Sequence, residues 1–194
     1  DTTNPRVTII NPLNRTYGAA DFPLVFNVSL NENGTVQYSL HGGVNNVTMQ
    51  GNESFLFGTG FNATNSSMAD GGYRFRVYAN DTSGNRNYTE FVDFSVDRTP
   101  PQVTIIRPQN ITYNFLPIPF NISTNENSTA FYSLNGGMNN ISMSVNGSAT
   151  GFNATNTSIA DGSYTVRFYV NDSAGNRNDT ESVVFSVDRT PPLI

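Results

Sequence analysis

Between Tyr73 and Asn80 the chain alternates strictly. Tyr73, Phe75, Val77 and Ala79 fall on one side, and Arg74, Arg76, Tyr78 and Asn80 on the other. A half-buried strand requires this period of two, because successive side chains point to opposite faces. The same alternation returns at Tyr164, Val166, Phe168 and Val170 against Thr165, Arg167, Tyr169 and Asn171. Val92, Phe94 and Val96 give a further inward stripe, matched by Val183, Phe185 and Val187. Clusters of Gly, Asn, Asp and Pro separate such runs, and no helical periodicity competes with them. The pattern predicts an all-β chain folded as two-sheet sandwiches of about seven strands each. Asp81-Thr-Ser-Gly84 reads as a hairpin loop, with the Asp bonding its own backbone and the Gly free to take positive φ. Asp70-Gly-Gly-Tyr73 and Asp161-Gly-Ser-Tyr164 place a Tyr at a strand start, where a corner Tyr can bond upstream backbone.

An internal repeat sets the domain organisation. NDTSGNRN at Asn80 returns as NDSAGNRN at Asn171, GFNATN at Gly60 returns at Gly151, and SVDRTPP at Ser95 returns at Ser186, each 91 residues on. VTIINP at Val7 returns as VTIIRP at Val103, and YSLHGG at Tyr38 as YSLNGG at Tyr132, with offsets of 96 and 94. The drift puts small length changes after Tyr17 and after Asn52. Residues 1–96 form a first repeat and 97–187 a second. Residues 188–194 open a third repeat or a linking strand, so the segment reads as a window on a longer array. Pro100 and Pro101 fix φ and restrict the residue before them, which predicts a short, stiff junction.

DxTPPxVTIxxPxNxTY, YSLNGG, DGSYTVxxYxNDSAGN and the closing FSVDRTPP resemble the immunoglobulin-like tandem repeats of archaeal and some bacterial cell-surface proteins. The resemblance covers both units nearly end to end. It implies tandem immunoglobulin-like sandwiches, of the fibronectin III or cadherin kind. It also implies an extracellular or cell-surface context: surface-layer components, stalks, adhesins or filaments. It brings no shared catalytic residue.

Composition narrows the function classes. There is no Cys, no Trp and no Lys; charged residues make up only 13%, and the net charge is -5. With no basic patch, nucleic acid is not an expected partner. No apolar run approaches the roughly 18 residues of a membrane span. Polarity comes instead from Asn, Ser, Thr and Gly, with 28 Asn in the chain.

Those asparagines carry the informative motif, Asn-x-Ser/Thr, the acceptor for N-glycosylation. It occurs at Asn14, Asn27, Asn33, Asn46, Asn52, Asn62, Asn65, Asn80 and Asn87, and at Asn110, Asn121, Asn127, Asn140, Asn146, Asn153, Asn156, Asn171 and Asn178. Random placement of this many Asn among this many hydroxyls gives about five or six matches. Every motif in one repeat aligns with one in the other, while the middle residue varies: NRT against NIT, NGT against NST, NES against NGS. A turn preference for Asn alone would not need the hydroxyl. Acceptors must reach solvent, and alternation places Asn27 and Asn121 outward between inward Phe26 and Val28, and Phe120 and Ile122. Asn46 and Asn140 are read the same way against Val47 and Met49, and Ile141 and Met143.

Other chemistry is thin. His41, the only His, is replaced by Asn135 in the second repeat. Glu32 and Glu126 read as solvated turn carboxylates. Asp97 and Asp188 lie at repeat boundaries and Asp81 and Asp172 in hairpin loops, too few oxygens together for calcium, so no cofactor is expected beyond covalent glycans. Tyr78 and Tyr169 face outward and could stack on sugars. No nucleophile–base pair, metal cluster or phosphate loop suggests an enzyme. The expected function is structural: a rod or fibre of heavily N-glycosylated repeats. Its partners would be further copies of the repeat, in one chain or head to tail. The alternative is an adhesin or carbohydrate-binding module, which predicts a bare, aromatic-rich face.

Overall fold

In the computed structural model, which describes residues 1–52 and 59–193, the chain divides into two compact units, Asp1–Thr99 and Pro100–Ile194. The division falls at the Thr99–Pro100 bond, just past the repeat boundary read after Val96.

Each unit is a sandwich of two sheets. In the first, strands β1 (Val7–Asn11), β3 (Leu24–Leu30), β7 (Thr59–Asn65) and β6 (Gln50–Asn52) lie side by side in that order. The facing sheet runs β2 (Thr16–Tyr17), β10 (Phe91–Val96), β8 (Gly71–Asp81), β4 (Gly34–Ser39) and β5 (Val47–Thr48), and the short β9 (Arg86–Asn87) pairs with β8. All pairings are antiparallel except β2 on β10. The N-terminal strand thus starts in one sheet and finishes in the other, which ties the two layers together.

The second unit repeats this order. One sheet runs β11 (Val103–Arg107), β13 (Ile118–Thr124), β17 (Ser148–Asn156), β16 (Ser144–Asn146). The other runs β12 (Thr112–Tyr113), β20 (Ser182–Val187), β18 (Gly162–Asp172), β14 (Ser128–Ser133), β15 (Ile141–Ser142), with β19 (Arg177–Asn178) on β18. The expected long strands are present, supplemented by two-residue pairings too short to show a period. The length change after Tyr17 is a 3-10 turn, Ala19–Asp21, in the first unit; the one after Asn52 falls outside the described residues.

The alternating stripes make the cores. Phe26 stacks on Phe75 at 4.9 Å, with Tyr38 against both and Phe94 beyond. In the second unit Val166 stands where Phe75 does, and Phe168 where Val77 does; all four are buried. The exchange of one large and one small residue between neighbouring inward positions conserves core volume, the substitution that cores tolerate best. Phe120 there stacks on Tyr132 at 4.4 Å. The corner tyrosines behave as predicted: the Tyr73 hydroxyl donates to Ala69 O at 2.8 Å, and that of Tyr164 to Ala160 O at 3.0 Å.

Two alternation readings need correction. Val47 and Ile141, taken as inward, are 49% and 46% exposed. They sit on two-residue strands at the edge of their sheets. Tyr169, taken as outward and free, is only 7% exposed. The Arg177 guanidinium lies over its ring at 5.1 Å, and its hydroxyl end rests on the turn at Gly137.

Candidate functional site

The eighteen acceptor motifs are the candidate site, and the fold sorts them. Asn52 has no described side chain. None of the other seventeen is buried. Asn14, Asn33, Asn46, Asn110, Asn127, Asn140 and Asn146 are exposed, at loops and on short strands near loops. The Asn33 amide oxygen accepts from the Thr59 hydroxyl at 3.1 Å, and among the described residues its nitrogen has no partner.

The remaining ten are half-buried and fall into four kinds. Asn27 and Asn62 are cross-strand partners on the outer face of the β3–β7 pair, and Asn121 and Asn153 repeat this on β13–β17. Such partners have Cβ atoms only about 5 Å apart. Asn65 and Asn156 end their strands at positions of core-facing parity, opposite Leu24 and Ile118. Each amide oxygen accepts the backbone N–H two residues on, from Ser67 and Ser158, both at 3.0 Å. Asn80 and Asn171 lie on the outer face of β8 and β18.

Asn87 and Asn178 are clamps. The Asn87 Nδ2 donates to Pro5 O at 3.0 Å, and that of Asn178 to Pro101 O at 2.9 Å. Each Oδ1 accepts both the backbone N–H and the hydroxyl of the Thr two residues on: Thr89 at 3.1 and 2.9 Å, Thr180 at 3.1 and 3.0 Å. Here a turn does use the motif's hydroxyl, which overturns the expectation that only a sugar acceptor would need it.

The hairpin carboxylates also have fixed partners. Asp81 Oδ1 accepts Ser83 N and Asn85 N, both at 2.8 Å, and Oδ2 accepts Asn85 Nδ2 at 2.7 Å. The Asn85 amide, followed by these backbone N–H donors, holds the Asp81 carboxyl below the usual carboxylate range, against an opposing desolvation. Glu32 is not the isolated turn carboxylate expected. Asp1, Glu32 and Asp81 bring one carboxylate oxygen each within 4.8 Å of one another. Three are fewer than the six to eight oxygens calcium takes. Asp97 and Asp188 cap backbone N–H groups, of Thr99 at 3.2 Å and Thr190 at 3.0 Å. The neighbouring arginines go elsewhere. Asp70 accepts Arg98 N at 2.8 Å and the Thr99 hydroxyl, while Asp161 accepts Arg189 N at 3.1 Å and Arg189 Nε at 2.7 Å. The Thr99 hydroxyl first, then Arg98 N–H, lowers the Asp70 pKa; the Arg189 side chain, then its N–H, lowers that of Asp161.

Residues 107–189 match a bacterial Ig-like domain model, and residues 58–116 match a second, the bacterial Ig-like domain of group 3. Both models are of bacterial Ig-like domains, and together they cover residues 58–189. Halomucin of Haloquadratum walsbyi is 34% identical over 122 residues, or 60% of this chain; the chain spans 1% of that protein's length. Fibronectin(III)-like modules of Clostridium thermocellum CbhA superpose with a TM-score of 0.51 at 15% identity, over 94% of each chain. The Escherichia coli adhesin FdeC gives 0.53 at 11% identity, over 97% of this chain and 65% of that one. At such identities the two structures show the shared fold alone.

Within these Ig-like repeats His41 is exposed, and its own N–H is held by Ser39 Oγ at 3.1 Å. Among the described residues no helix is long and apolar enough to cross a membrane.

Proposed function

We propose that this chain is a structural, non-enzymatic segment of an extracellular glycoprotein, a rod or fibre of N-glycosylated Ig-like repeats at a cell surface. One observation carries the reading: none of the seventeen described acceptor asparagines is buried, although the motif recurs on loops, edges and central strands. The likeness to halomucin supports a surface context. Glycosylation joins the anomeric carbon of an activated sugar donor to Nδ2, which gives up one hydrogen as the donor's phosphate leaves. A coat so placed shields strand edges from pairing with other chains. It also keeps a weakly charged surface soluble without Lys. Repeats in series give length without a special site, and their partners are further copies of the same unit. No resident metal is required.

The fold grades the acceptors. The seven exposed sites are the principal sugar carriers, cross-strand partners compete, and the clamps Asn87 and Asn178 stay bare. Glycopeptide mapping of native material tests the reading, with electron microscopy of the same sample to show fibres or stalks. Bare amides at the seven exposed sites would end it.

A second reading, a ligand-binding module, is favoured by one feature of the first unit. Phe91 is 46% exposed on the outer sheet face, under Arg74 at 4.3 Å and Arg76 at 5.5 Å. Ser182 takes its place in the second unit, so such a face belongs to one repeat only.

A further inference from the structure

We propose that Tyr78 and Tyr88 form a carbohydrate platform that holds the first sugar of a glycan on Asn80. The inference rests on the glycosylation reading and gives one of its sites a bound conformation.

Tyr78 and Asn80 are two residues apart on β8, on one face, which sets them roughly 7 Å apart along the strand. Tyr88 follows β9, which pairs with that stretch of β8. The Tyr88 ring meets the Tyr78 ring edge-on at 5.3 Å. Its hydroxyl donates to Asn80 Oδ1 at 3.1 Å. The phenol therefore fixes the amide through its oxygen, and among the described residues Nδ2 has no protein partner. That is the atom a sugar takes.

Neither ring is loosely placed. The Arg76 Nη1 donates to Tyr88 O at 3.3 Å, and Asn87 and Thr89, on either side of Tyr88, are locked by the clamp described above. Tyr78 lies along the turn at Gly43, where a Cβ would collide with its hydroxyl. Two half-exposed aromatic surfaces beside a free amide nitrogen suit a pyranose. Its C–H face carries slight positive charge and packs on the negative face of an aromatic ring. Both rings are ordered before the sugar arrives, so little conformational entropy is lost on contact.

The second repeat lacks the platform while keeping the acceptor. Asp179 stands where Tyr88 does, and Arg177 pairs with it at 3.5 Å while covering Tyr169. A sugar on Asn171 meets a guanidinium and a carboxylate, with no open ring. The two repeats thus provide an internal control within one molecule.

The test uses the glycoprotein from its native host, trimmed by glycosidases to the innermost sugars, with Tyr88→Ser and Tyr88→Phe variants made in the same host. Glycopeptide mapping first reads occupancy at Asn80 and Asn171. NMR then reads the ring protons of each Asn-linked sugar. The Asn80 sugar should be shifted upfield of the Asn171 sugar by the aromatic ring current and should show contacts to Tyr88. Tyr88→Ser should abolish the shift. Tyr88→Phe should retain most of it, since the ring remains. A bare Asn80 overturns the glycosylation reading at this position and the platform with it. An occupied Asn80 whose sugar matches that of Asn171, or is indifferent to Tyr88→Ser, overturns the platform alone.

Discussion

Replacing Asn178 by Ala in unglycosylated chain removes three hydrogen bonds at once: Nδ2 to Pro101 O at 2.9 Å, and Thr180 N–H and Thr180 hydroxyl to Oδ1 at 3.1 and 3.0 Å. The Thr180 groups are at the surface, where water replaces the lost partner, so their net loss is small. The bond to Pro101 matters more, because Pro101 is buried and its carbonyl tethers the entry to β11 across 77 residues of chain. A net intramolecular hydrogen bond contributes about 1 kcal/mol, and an acceptor left unsatisfied costs more. The expected destabilisation is about 1–2 kcal/mol, or roughly 5–15 °C in Tm for a unit of this size. The control is Asn110→Ala, an exposed acceptor with no side-chain hydrogen bond among the described residues, expected to stay within about 0.5 kcal/mol. Urea unfolding of the bare chain reads both, with the midpoint moved and the slope unchanged. Equal effects of the two substitutions would refute the clamp. In native glycopeptides the expected order is the reverse: sugar should be found on Asn110 and not on Asn178.

Phe75→Ala opens a cavity in the stacked aromatic centre of the first unit and should cost about 3–5 kcal/mol, leaving the second unit's transition in place on a calorimetric trace. At the cross-strand partners Asn27 and Asn62, a sugar on one side chain leaves no room for a second about 5 Å away, so intact glycoprotein should carry one sugar across each such pair; frequent double occupancy by top-down mass spectrometry would contradict the register. Asp70, Asp81 and Asp161 are all held below the ordinary carboxylate pKa in the folded chain. A depressed folded pKa gives stability that is complete above the unfolded value of about 3.9 and is lost as pH falls through the folded one. Tm should therefore be flat from neutrality to about pH 5 and drop below about pH 4, with Asp161→Asn flattening that acid limb for the second unit. Chelator should leave the melting of the first unit unchanged, because three N–H donors already engage the Asp81 carboxylate beside Asp1 and Glu32; a fall in Tm that calcium restores would show a resident cation there.

Strands and turns were legible because their causes are local. Period two in the sequence marks eight residues in each of β8 and β18, Tyr73 to Asn80 and Tyr164 to Asn171. The Asp81 turn, with Gly84 at φ 88°, is written in adjacent residues. The corner tyrosines follow from a turn four residues upstream. What sequence reading missed is tertiary. Asn87 reaches Pro5 across 82 positions, and Asp1 and Glu32 meet Asp81 from different strand ends. Tyr169 looks like Tyr78 in sequence, but Arg177, paired with Asp179, covers Tyr169, while Tyr78 has the Tyr88 ring beside it. One miss was avoidable: with Phe61 inward, period two already puts Asn65 on the core side of β7, as it does Asn156 after Phe152.

The motif Asn-x-Ser/Thr therefore does more than one physical job in these repeats. At loops it is an amide in water with a hydroxyl nearby, and among the described residues no acceptor engages its Nδ2. At Asn65 and Asn156 it closes a turn through the amide oxygen while the nitrogen stays available. At Asn87 and Asn178 both ends of the amide are committed to the fold, and the hydroxyl with them. A duplicated segment would copy all three jobs together, so register between the repeats does not separate acceptors from clamps. The direction of Nδ2 does: outward or unpartnered at the first two kinds, and fastened to a buried proline carbonyl at the third. Occupancy measured site by site should follow that direction and ignore the middle residue of the motif.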